Sequence, residues 1–155
     1  MHILRFIHLL GITVWVGSLI FFTLIATPVI FKNLPRETAG EVVGHLFPKY
    51  WLLGYAASVI TLGSLIALSY MQKSFPALRI LLLAVMLGVT FYSGLVVGKN
   101  ARNIKAEIKT AEETVNTEDL RSKFKRVHAL SAVLNLSVIL LGLFLVYLTS
   151  RELQL

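Results

Sequence analysis

The sequence predicts an all-α protein: a polytopic membrane four-helix bundle with a short interfacial amphipathic helix after helix 1 and a cytoplasmic helical hairpin extending helices 3 and 4. Three observations predict it. The 155 residues are 56% hydrophobic and 15% charged, with a mean hydropathy of +0.76, too apolar for a soluble domain with one core. Four runs, about 3–31, 50–71, 77–97 and 127–149, each approach the ~20 residues needed to cross a ~30 Å hydrocarbon layer. Between them the apolar residues recur at helical spacing. Residues 1–155 read as a single transmembrane domain.

The fifteen Lys and Arg divide unevenly: Lys32, Arg36 and Lys49 lie in the first connector, eight lie between Lys99 and Arg126, and four lie elsewhere. By the positive-inside rule, loops 1 and 3 are cytoplasmic and both termini lie outside. The basicity does not point to nucleic acid, because five acidic residues interleave the third loop. With no cysteine, disulfides, thiolate metal sites and cysteine nucleophiles are excluded.

Segment one carries Arg5, His8, Gly11, Trp15, Ser18 and Phe22 at steps of three and four. This second polar face, with His8, Trp15 and Ser18, is expected to meet the bundle interior. Arg5 is expected to snorkel toward headgroups, and Pro28 to be absorbed by a bend near the inner end. The run lacks a small-x-small cleavage pattern and is longer than a signal-peptide core, so it reads as a retained span.

The first connector is bracketed by Pro35, suited to a first helical turn, and Pro48, which is expected to end the helix. Ala39, Val42, Val43 and Leu46 form one face of residues 35–47, and Glu37, Glu41 and His45 the other, the pattern of an interfacial helix. Glu41 and His45 read either as an exposed i,i+4 pair or as two metal ligands.

Segment two offers Gly54, Ser58 and Thr61 for close helix approach, with Tyr50, Trp51 and Tyr70 at its ends as interfacial aromatics. The tight turn over 72–76 makes segments two and three antiparallel neighbours. Segment three ends in a G-x-x-x-G pattern, Gly94 to Gly98. Beyond it, Ala101, Ile104, Ile108, Ala111 and Val115, then Leu120, Phe124 and Val127, repeat at steps of three and four. They predict a two-helix hairpin over about 98–126, turning near 114–117 with Thr117 as an N-cap; a disordered loop is the alternative.

Segment four places His128, Ser131, Asn135 and Gly142 on one face. Such groups are costly in hydrocarbon unless paired, so the face is expected to look inward. Arg36, Tyr50, Asn100, Arg102 and Arg126 around His128, with Ser131 and Asn135 leading inward, form a candidate inner-leaflet pocket for an anionic lipid headgroup or a small molecule. The alternative is that the arginines only orient the protein.

Histidines in a membrane bundle also raise haem. His8 near the outer leaflet and His128 near the inner one differ in depth by roughly 20 Å, too far to share an iron. His8 with Met71, or His128 with His45, remain possible haem or metal ligand pairs, against hydrogen-bonded structural histidines. There is no nucleophile–base set, phosphate loop or intramembrane carboxylate, which argues against an enzyme or an acidic proton relay. The expected function is therefore binding or passage of a small molecule or lipid headgroup. The alternatives are a haem- or metal-binding redox protein and a scaffold using its hairpin.

Three stretches resemble one family. Ile7-His8-Leu9-Leu10 with Trp15-Val16-Gly17, Leu34-Pro35-Arg36 through Gly40 with Leu46-Phe47-Pro48-x-Tyr50, and Leu120 through Leu136 with Phe124, His128, Ser131 and Asn135 are similar in order and spacing to the transmembrane protein 205-like domain. The resemblance implies a four-helix membrane protein with a helical connector and no established reaction. It marks His8, Trp15, Pro35, Arg36, Phe47, Pro48, Tyr50, His128, Ser131 and Asn135. His45 lies outside the pattern.

Overall fold

The computed structural model describes residues 1–111 and 117–151. Among them are four long helices, α1 (His2–Asn33), α2 (Arg36–Gln72), α3 (Ala77–Ala111) and α4 (Glu118–Ser150), each long and apolar enough to cross a membrane. With 32 to 37 residues apiece, they are roughly 50 Å long at ~1.5 Å per residue, well beyond the ~30 Å hydrocarbon layer. Large apolar side chains such as Phe6, Leu24, Leu52, Leu81, Val133 and Leu140 are exposed along them, as a lipid-facing surface requires. The protein is an all-helical, multi-pass membrane bundle.

Each helix packs on the next and α4 returns to α1, closing a ring. Its centre is Ile12, Trp15, Val16 and Leu19 of α1, Ala57 and Leu65 of α2, Leu83 and Met86 of α3, and Val138, Ile139 and Leu145 of α4. Lipid tails are as apolar as leucine, so the contacts depend on close fit. Gly11 lies directly against the Thr61 side chain. A Cβ on Gly142 would fall 2.6 Å from Val16 Cγ2 and 3.3 Å from Met86 Cε. Gly94 of the G-x-x-x-G pattern packs against Trp51 and Tyr55 of α2. The buried hydroxyls of Thr61 and Thr90 are each satisfied within their own helix, Thr61 donating to the Ala57 carbonyl at 2.7 Å and Thr90 to that of Met86 at 2.8 Å.

Pro28 has no N–H to donate to Leu24, and its ring crowds that carbonyl. The preceding turn, Phe21–Ala26, is widened to π geometry, with the Thr27 N–H reaching the Phe22 oxygen. A second widened turn, Ser93–Val97, leads into Gly98.

The connector differs from expectation in one respect. Pro35 stands at the N-cap of α2, but Pro48 lies inside the helix and does not end it. Residues 36–49 are therefore the first turns of one 37-residue helix, and not a separate interfacial helix. Pro48 forfeits a single backbone donor on an exposed face. Packing outweighs that loss: Ala39 and Val43 are buried, and Lys105 Nζ donates to the Gly40 carbonyl at 3.0 Å.

The extensions of α3 and α4 pack along each other as a hairpin. Ala101, Ile104, Ile108 and Ala111 on one strand of it, and Leu120, Phe124 and Val127 on the other, are half-buried among exposed polar neighbours. Val115 and the turn before Thr117 lie outside the described residues. Thr117 occupies the N-cap of α4, but its hydroxyl accepts from Arg121 Nε at 3.2 Å and not from a backbone N–H. Asp119 and Lys123 pair on the exposed side at 2.7 Å.

Candidate functional site

The polar face of α1 turns inward at the end of the bundle that holds the start of α1, the end of α4 and the turn between α2 and α3. His8 is only 3% exposed. Its Nδ1 lies 3.0 Å from the Thr61 carbonyl oxygen and 3.1 Å from Ser64 Oγ, while Ser64 itself donates to that carbonyl at 2.9 Å. A carbonyl only accepts, so the geometry assigns a proton to Nδ1. Nε2 is buried and has no hydrogen-bond partner among the described residues. About two and three helical turns further along, Trp15 is fully buried with its indole N–H also without a partner among the described residues, and half-buried Ser18 donates to the Trp15 carbonyl at 3.0 Å.

His8 lines a cavity of about 390 Å3 together with Arg5, Leu9, Leu65, Leu68, Ser69, Gln72, Ser74, Pro76, Arg79 and Thr149. Arg5 and Gln72 are exposed, Arg79 is half-buried, and His8, Leu65, Leu68 and Thr149 are buried, so the wall passes from charged and open to polar and enclosed. A second cavity of about 370 Å3 is lined by Pro76, Ala77, Leu78, Arg79, Leu148 and Arg151. Arg79 and Pro76 border both. The turn that supplies this edge is fixed locally: Lys73 adopts a left-handed conformation (φ 49°), and the N–H groups of Lys73 and Ser74 reach the Tyr70 and Ser69 carbonyls.

The residues expected to form an inner-leaflet pocket are placed differently. His128 is exposed, its ring stacked on Phe124 with centroids 6.2 Å apart. Arg36, Asn100, Arg102 and Arg126 are exposed as well; Ser131 is half-buried and Asn135 buried. The inward face of α4 thus runs through Asn135 and Gly142 as read from the sequence, but it leaves His128 outside. Near the hairpin the seam is set by Phe124 and Val127, one residue round from the imidazole. Tyr50 sits apart from these, stacked on Phe22 with centroids 4.6 Å apart and its hydroxyl enclosed without a partner among the described residues.

The candidate haem and metal pairs are not brought into enclosed sites. Met71 is 55% exposed while His8 is buried, and His45, Glu41 and His128 are all on the surface. Among the described residues, no group of three or more His, Cys, Asp or Glu is arranged to hold a metal ion.

Arg5, Gln72, Arg79 and Thr149 were not expected at a site. The signal for Arg5 was legible, since it shares the His8 face one turn away. Arg79 and Gln72 reach the cavity only because the 73–76 turn folds α3 back beside α2, which no single-helix periodicity reveals.

No curated protein and no solved structure matches this chain. A family profile does match it, over residues 10–110, which takes in the cores of α1 and α2, the α2–α3 turn and nearly all of α3. The chain belongs to the family described as a domain of unknown function, DUF4149.

Proposed function

We propose that this bundle binds an anionic small molecule or lipid headgroup in the cavity at its terminal end, and that the site is built on Arg5, His8 and Arg79. The observation that carries this reading concerns the basic residues that run against the charge bias. Only Arg5, Lys73, Arg79 and Arg151 lie away from the two basic loops, and three of these four line the two terminal-end cavities. All three are arginine, whose planar fork engages phosphate or carboxylate oxygens in pairs.

The orientation is part of the proposal. With the basic loops in the cytoplasm, the cavity opens on the outer side, and passage across the membrane would begin there. The finer likeness to the transmembrane protein 205-like domain also belongs to this proposal. Its first two motif stretches fall largely within residues 10–110, and its third, 120–136, falls beyond them.

The test is a ligand-dependent thermal shift on purified protein, using inorganic phosphate and short-chain phosphatidylglycerol as probes. At least one is expected to raise Tm in the wild type, and the shift is expected to disappear in Arg5→Gln and Arg79→Gln. No shift with either probe, or equal shifts in the variants, overturns the reading.

A further inference from the structure

The deep wall of the same cavity narrows the class of ligand, an inference that rests on the anion-binding reading above. Two hydrogens converge on the Thr61 carbonyl, one from Ser64 Oγ at 2.9 Å and one from His8 Nδ1 at 3.0 Å. In the neutral ring the proton is thereby committed to Nδ1, and Nε2 presents a lone pair. That lone pair is buried with no partner among the described residues, on a side chain that lines the cavity. A buried acceptor without a donor is costly, and the cost is recovered if a bound molecule supplies the donor. Arginine cannot supply a lone pair, and His8 in this tautomer cannot supply an N–H to the ligand through Nε2. The two ends of the cavity therefore ask for opposite chemistry.

We infer that the ligand is bifunctional: a phosphate or carboxylate that engages Arg5 and Arg79, joined by a short linker to an N–H or O–H donor that reaches His8 Nε2. Arg5 and His8 are three residues apart on α1 and share a face about one turn apart, so a short linker joins the two groups. Ethanolamine, serine and glycerol esters of phosphate have this form. Choline esters have the same anion and nearly the same size but no donor on nitrogen. The polar wall deepens away from the exposed arginine, so the donor enters first and the anion stays at the mouth.

The experiment compares phosphoethanolamine with phosphocholine by calorimetric titration of the full chain in nanodiscs of phosphatidylcholine, at pH 8. There both phosphates are largely dianions, since the second phosphate pKa is about 6. A parallel arm uses dihexanoyl phosphatidylethanolamine and dihexanoyl phosphatidylcholine, to separate a soluble ligand from a lipid headgroup. The expected result is roughly tenfold tighter binding of the ethanolamine member in at least one arm, the scale of one hydrogen bond to a buried acceptor. His8→Phe is expected to erase the difference while leaving the response to Arg5→Gln intact; should His8→Phe fail to fold, the wild-type comparison stands alone. Equal binding of both members, lost in Arg5→Gln, overturns the donor requirement and leaves the anion site standing. No binding of any of the four probes overturns both.

Discussion

His8 on α1 and Thr61 on α2 are joined by a 3.0 Å contact from ring nitrogen to backbone oxygen, and the same Thr61 side chain lies against Gly11 of α1. The polar site and the tightest approach of these two helices thus share a residue. Adding a methyl group at position 11 must displace either the Thr61 hydroxyl or the helix that carries it. Gly11→Ala is expected to destabilise the bundle by about 1–3 kcal/mol, the usual cost of overpacking. Gly17 is a matched control on the same helix, with nothing within 4 Å of its added Cβ, and Gly17→Ala is expected to be neutral or slightly stabilising. Reversible unfolding in mixed micelles measures both; equal effects would show that the contact at Thr61 is not limiting.

Lys73 takes φ 49° at the end of α2, a conformation that costs a residue with a Cβ about 1–2 kcal/mol. The turn it closes carries the cavity edge formed by Ser74 and Pro76. Lys73→Gly is therefore expected to raise stability by about 0.5–1 kcal/mol while leaving probe binding unchanged. A lower melting temperature in that variant would mean that the lysine head matters more than its backbone.

Much of this architecture is legible in the sequence, for physical reasons that differ by element. The four spans follow from length and hydropathy, and the hairpin from the spacing of Ile104, Ile108 and Phe124, because burial of one stripe is the property that periodicity encodes. The inward turn of His8 and Trp15 is legible in the same way. His128 is not: a face drawn at 3.6 residues per turn includes it with Asn135, but the seam that the α3 extension imposes passes through Val127 instead. Pro48 misleads for a related reason. Its local cost is fixed by covalent geometry, whereas the burial of Ala39 and Val43 that overrides it is tertiary. The cavity was hidden because it joins Arg5, Gln72, Arg79 and Thr149 from four different helices.

Because Ile108 is half-buried in the hairpin seam while its neighbours Glu107 and Lys109 are exposed, a charge there should separate the two extensions without touching the membrane core. Ile108→Asp is expected to speed cleavage by trypsin within residues 99–126 severalfold, with little change for Lys109→Ala. Unchanged cleavage would count against packing of the hairpin in the membrane-embedded protein.

The charge bias predicts sidedness. Alkaline phosphatase fused after Leu155 is expected to be active, and GFP inserted at Asn116 to fluoresce, which places both termini outside. The reverse pattern would turn the terminal-end cavity toward the cytoplasm and invert the direction from which a soluble ligand enters.

The central claim is that the ligand site lies at the terminal end, on Arg5 and Arg79, and not at the loop end around His128. Titration of phosphoethanolamine and short-chain phosphatidylglycerol into two double variants tests it directly. Arg5→Gln with Arg79→Gln is expected to lower affinity at least tenfold for whichever probe the wild type binds, whereas His128→Ala with Asn135→Leu is expected to leave it within twofold. Binding lost in the second variant and retained in the first would contradict the account.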